Sequence, residues 1–131
     1  MKKNQIQITL PMSVSVNVAY GNKARGRYRT EAYLQWLIAC ANTDQYSYAY
    51  EFVDKGLHID YKFYSKWLNK DDSIKKKDVA NFIKVVDDYL PEIIDGFDDK
   101  YIWSFNTEKI HSDREEVELV ISECEIVRLD K

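Results

Sequence analysis

The sequence predicts an α+β fold, a mixed sheet of about four strands with two main helices packed on it, as one small domain over residues 1–131. Three observations predict it. Ile6, Ile8 and Leu10, and later Leu57, Ile59, Tyr61 and Phe63, alternate with polar residues, the period of a strand with one buried face. Tyr33, Trp36, Leu37, Cys40 and Ala41 keep helical spacing, as do Val79, Phe82, Ile83, Val86, Tyr89 and Leu90. No repeat or linker divides these segments, and 131 residues can bury one core but not two.

The elements follow in order. Pro11 ends the first strand, and Met12 to Arg29, rich in Ser, Asn and Gly, reads as one long connection. Thr30 is placed to cap the first helix, with Glu31 favourable in its first turn. Tyr46, Tyr48, Tyr50 and Phe52 alternate like a strand, but the Ala, Glu and Gln around them suit a helix equally, and the segment is read as a helical extension. After Gly56 comes the second strand. Lys70 to Lys77 is a charged turn before the clearest helix, which Pro91 stops. Tyr101, Trp103 and Phe105 suggest a third strand and Val117, Leu119 and Ile121 a fourth, with Asn106 to Arg114 as a polar hairpin loop between them.

Composition narrows the function. Ten tyrosines and three tryptophans argue against long disorder. A net charge of -3 gives no global field for nucleic acid, so any such affinity must come from local clusters: Lys23, Arg25, Arg27 and Arg29, and Lys75, Lys76 and Lys77. The two cysteines, Cys40 and Cys124, form no CxxC pair and read as bland thiols of a reducing compartment. Met1-Lys2-Lys3 is followed by no apolar core of a signal peptide, and no run is long enough to cross a bilayer. A soluble, cytoplasmic protein is expected. His58 and His111 lack ligand spacing, which argues against zinc.

The chemistry concentrates between Lys75 and Asp99. Asp78, Asn81, Lys84 and Asp88 share one arc of the second helix, and the pair Asp98-Asp99 follows just after the helix ends. Acids beside fixed cations suit metal-assisted cleavage of a phosphodiester, because a divalent ion bridges carboxylates and phosphate oxygens. Asp78 and Asp88 lie about 15 Å apart along a regular helix, too far to share one ion, so Asp88 is better cast as a partner of Lys84.

This order of elements resembles the RusA-type Holliday-junction resolvases, endodeoxyribonucleases common in phages and prophages. The likeness rests on the opening strand with Pro11, Asn17 and Tyr20 leading to Arg25-Gly26-Arg27, on Asp78, Asn81 and Lys84 matching a D-x-D-N-x-x-K helix start, and on the Ile93-to-Asp99 turn. It covers nearly the whole chain. It implies a homodimeric nuclease, dependent on Mg²⁺ with Mn²⁺ as the alternative ion, that makes paired nicks in branched DNA. By position Asp78 and Asp99 correspond to family acids, with Asp98 assisting at the metal, and Lys84 to the essential lysine. Asn81 would orient a carboxylate or phosphate. The basic clusters would track phosphates and set salt dependence. One position departs from the pattern: the family's second acid falls on Ala80, which cannot bind a metal.

Each motif also has a plainer reading. Asp78 can simply offset a helix dipole, Asp98-Asp99 can be an exposed turn, and three lysines in a row are often a solvated face. Two further functions are therefore carried: a branched-DNA-binding protein that no longer cuts, and a small α+β interaction protein whose acids are structural. Nicking that depends on a divalent ion separates the first reading from the second, and DNA binding at low salt separates both from the third.

Overall fold

A computed structural model describes residues 5–22, 26–43 and 56–130. Its elements are β1 (Ile6–Pro11), α1 (Val16–Ala19), β2 (Tyr20–Asn22), β3 (Arg27–Arg29), α2 (Glu31–Thr43), β4 (Gly56–Ser65), α3 (Ala80–Tyr89), β5 (Ile102–His111) and β6 (Glu116–Cys124). The α+β class holds. Four strands form a mixed sheet in the order β1-β6-β4-β5. β6 runs antiparallel to both β1 and β4, whereas β5 lies parallel to β4 at the sheet edge. A parallel pair needs a long crossover, and the segment carrying α3 supplies it.

The alternation read from the sequence sets the sheet's two faces. Ile6, Ile8, Leu10, Leu57, Ile59, Tyr61, Phe63, Val117, Leu119 and Ile121 are all buried. From α2, Tyr33, Trp36 and Cys40 join this core, and from α3, Phe82, Val85, Val86 and Tyr89. Trp36 ties the layers together: its indole N–H donates to the Pro11 carbonyl at 2.9 Å and its ring meets Tyr89 edge-on at 5.5 Å. Thr30 caps α2 as expected, its hydroxyl accepting from the Tyr33 N–H at 3.3 Å.

Two expectations need correction. Met12 to Arg29 is not one plain connection, because α1 and the β2–β3 hairpin form within it. The expected hairpin loop from Asn106 to Arg114 is mostly strand, since β5 continues to His111. Its polar residues misled the reading because β5 is an edge strand, whose order comes from backbone pairing to β4 as far as Ser65↔His111 rather than from burial. Lys23, Arg25 and the tyrosines at 46, 48 and 50 lie outside the described residues. Among the described residues no helix is long and apolar enough to cross a membrane.

Candidate active site

The site grows from how α3 begins and ends. Asp78 Oδ1 accepts the Ala80 N–H at 3.1 Å, and its carbonyl accepts the Asn81 N–H at 3.1 Å, so Asp78 satisfies donors that the first turn would otherwise leave open. Apolar positions then turn inward at Phe82, Val85, Val86 and Tyr89, which leaves Lys84, Asp87 and Asp88 along the rim. Pro91 sits in a 3₁₀ turn, Leu90–Glu92, that closes the helix. Gly96, at φ 81°, folds the chain back through a left-handed conformation that favours glycine. Asp98 Oδ1 accepts the Lys100 N–H at 2.9 Å and so starts a second 3₁₀ turn, Asp99–Tyr101.

That return brings Asp99 to Lys84. The Lys84 ammonium lies 3.0 Å from Asp88 Oδ1 and 3.8 Å from Asp99 Oδ2. The hydrogen bond that Lys84 donates to Asp88, with the charges of Asp88 and Asp99, raises the Lys84 pKa. Asp98, by contrast, spends one oxygen on its cap. Asn81 is half-buried in the first turn of α3, and Ala80 is exposed beside it.

Sequence reasoning missed Asp87. The Tyr61 hydroxyl, buried on β4, donates to Asp87 Oδ1 at 2.5 Å. Burial pushes the Asp87 carboxyl up to about 6, with Asp99 and Asp88 reinforcing the rise and the Tyr61 hydrogen bond and Lys84 opposing it. Burial and the neighbouring carboxylate likewise push the Tyr61 phenol upward. A signal was present: at 100° per residue Asp87 falls about 40° from Ile83, on the border of the apolar stripe, where packing must cover it. It also lies two turns from Ala80 on nearly the same azimuth, about 10 Å further along the axis.

The donors suit a hard cation, for they are carboxylate oxygens. Among the described residues no group of three or more His, Cys, Asp or Glu side chains is drawn close enough to hold a metal ion. Mg²⁺ does not require such a cage, since it commonly takes one or two carboxylates together with substrate phosphates and waters. The donors present are of the oxygen type that such an ion takes.

The basic residues divide. Arg27 and Arg29 are exposed on β3, with the Arg27 guanidinium 4.2 Å above the Tyr20 ring and that of Arg29 5.6 Å from the Tyr33 ring. Lys76 is exposed, while Lys75 and Lys77 are half-buried. Lys77 lies 4.7 Å over the Trp67 ring and donates to Ser65 Oγ at 3.3 Å. Lys109, not singled out in the sequence, lies 4.9 Å from the centre of the same ring and donates to the Lys77 carbonyl at 2.6 Å.

A search of curated proteins gives no match. Residues 6–122 match the family described as Endodeoxyribonuclease RusA, from the first residue of β1 to near the end of β6. The match takes in β1, β4, β5, both ends of α3 and β6 as far as Ser122, and this chain belongs to the RusA endodeoxyribonuclease family.

Proposed function

We propose that the protein is a structure-selective endodeoxyribonuclease that resolves Holliday junctions or related branched DNA by Mg²⁺-dependent phosphodiester hydrolysis, acting as a cytoplasmic homodimer in recombination and repair. The observation that carries this reading is the meeting of Lys84 with Asp99 at 3.8 Å in a chain of the RusA family. Asp78 and Asp99 would hold the ion, with the second oxygen of Asp98 assisting. When bound, Mg²⁺ or Mn²⁺ supplies Lewis-acid polarisation of the scissile phosphate. Lys84, fixed by Asp88, offers a positive charge to the negative charge that develops on the phosphoryl oxygens. Asn81 orients a carboxylate or a phosphate. Arg27, Arg29 and Lys75 to Lys77, with Lys23 and Arg25, track the backbone and give affinity without reading bases. Two copies are proposed because paired cuts across a four-way junction call for two sites.

The test is a synthetic four-way junction against linear duplex, with and without Mg²⁺ or Mn²⁺, scored for symmetric nicks. Wild type should nick the junction only with the ion, and Asp78→Asn should bind it without cutting. Equal turnover by Asp78→Asn would remove the mechanism. One observation favours a second reading: Ala80 stands where the family has an acid, so the protein could bind branched DNA without cleaving it. Tight junction binding with no nicking in either ion would select that reading.

A further inference from the structure

Between β4 and α3 the chain makes a short hairpin. The Lys75 N–H donates to the Trp67 carbonyl at 3.0 Å, Leu68 bridges Ile74 in antiparallel fashion, and the Asn69 N–H donates to the Ser73 carbonyl at 2.8 Å. Its tip is tied by Asp71 Oδ1, which accepts both the Ser73 N–H at 3.0 Å and the Ser73 hydroxyl at 2.5 Å. Its base is fastened to the end of β5, where His111 Nδ1 accepts the N–H groups of Trp67 at 3.1 Å and Leu68 at 3.3 Å. A ring nitrogen that accepts hydrogen bonds carries no proton, so the neutral imidazole keeps its hydrogen on Nε2 as a donor.

A cleft of about 550 Å³ opens here, and Lys66, Lys70, Lys75 and His111 line it together with Asp72 and Asp113. Of the two acids, Asp113 is already 3.6 Å from Lys66 and almost fully exposed. Trp67, whose N–H His111 accepts, also carries Lys77 and Lys109 over its ring. Cations thus outnumber acids around a hairpin whose backbone is tied by its own hydrogen bonds, so an anion entering the cleft meets an excess of positive charge.

We infer that this cleft is a phosphate subsite, in which Lys66, Lys70, Lys75 and the Nε2–H of His111 grip a backbone phosphodiester of a DNA arm apart from the acids. The inference rests on the DNA reading above. Lys75 leads directly to Asp78, so a strand anchored in the cleft runs towards the start of α3.

The double variant Lys66→Ala/Lys70→Ala tests it, because both side chains are exposed and neither belongs to the acidic site. Four-way-junction affinity is measured from about 50 to 200 mM salt, the range over which phosphate contacts are lost. The slope of log affinity against log salt should fall by about one to two, and the double Arg variant should restore it. His111 ring resonances should shift when junction DNA binds wild type and stay put in the Ala variant. An unchanged slope, or an unmoved His111 in a bound complex, would overturn the subsite while leaving the nuclease reading intact. Failure of wild type to bind any DNA would instead remove the nuclease reading. Saturation of the His111 shift by inorganic phosphate alone, at concentrations equal to those of the junction, would assign the cleft to a free phosphate and overturn the DNA role.

Discussion

Lys84 Nζ lies 3.8 Å from Asp99 Oδ2, a contact that joins the middle of α3 to the turn preceding β5. Neither residue is held by the core, for both side chains are more than half exposed. What brings them together is the reversal at Pro91 and Gly96 and the cap at Asp98. A cation set against carboxylates at the exposed rim of a helix contributes little to holding the fold, and under the proposed function it is free to meet a phosphate.

Lys84→Ala should therefore lower junction cleavage by about 10²- to 10³-fold, the usual loss when one donor to developing charge is removed. Stability should change by less than about 1 kcal/mol, because an exposed ion pair is worth no more than that. Single-turnover nicking and urea unfolding, measured on the same preparation, check both halves. A large loss of stability would show that the pair is structural.

Ala80→Asp should return an acid to the helix start. The position is exposed, and the bond it gives Asp78 comes from backbone N–H, so nothing need be displaced. An acid in the first turn also favours the helix by about 0.3–1 kcal/mol. The expected result is a half-saturating Mg²⁺ concentration lowered about tenfold in the nicking assay, through one more charged oxygen donor. An unchanged Mg²⁺ requirement would mean that the missing acid does not limit this protein.

Asp87→Asn should alter the pH dependence of folding in a defined direction. With a folded pKa of about 6 against an ordinary 3.8, Asp87 holds its proton more tightly folded than unfolded. Its contribution is therefore fully present below pH 3.8 and is lost as pH rises through about 6. The Asn variant keeps an oxygen for the Tyr61 hydroxyl and has no charge to desolvate. In EDTA it should gain up to about 3 kcal/mol over wild type at pH 7.5, and the advantage should vanish near pH 4. Thermal or urea unfolding across that range measures it, and a constant difference at all pH values would contradict the assignment.

Trp67→Ala should be among the most damaging changes, at about 3–5 kcal/mol. Trp67 is buried, meets Phe82 edge-on at 5.8 Å, donates to the Phe63 carbonyl at 2.8 Å and supports two ammonium groups. Denaturant midpoints at constant slope check the value. DNA affinity should fall as well, since Lys77 and Lys109 lose the surface that holds them.

Period-two and helical spacing made the sheet, α2 and α3 legible, because residues such as Ile59 or Val86 have only the core to face. The run of β5 from Asn106 to His111 was illegible for the opposite reason: an edge strand needs a paired backbone and has no apolar partner to advertise. Of the site, Lys84, Asp88 and Asp99 could be named from spacing, and their distances could not. Asp87 was passed over because its role depends on Tyr61, a residue of another element that only folding brings within 2.5 Å.

The chain on its own determined the buried faces of β1, β4 and β6, where the helix bearing the acids starts and stops, and which family pattern it follows, since these are set by local periodicity, capping and turn residues. Tertiary structure alone decided that Asp99 returns to Lys84, that Asp87 is held by a buried phenol, and that the lysines before α3 stand around a cleft closed by His111. Distances between elements depend on how the layers pack and how loops reverse, and no spacing within one element contains them.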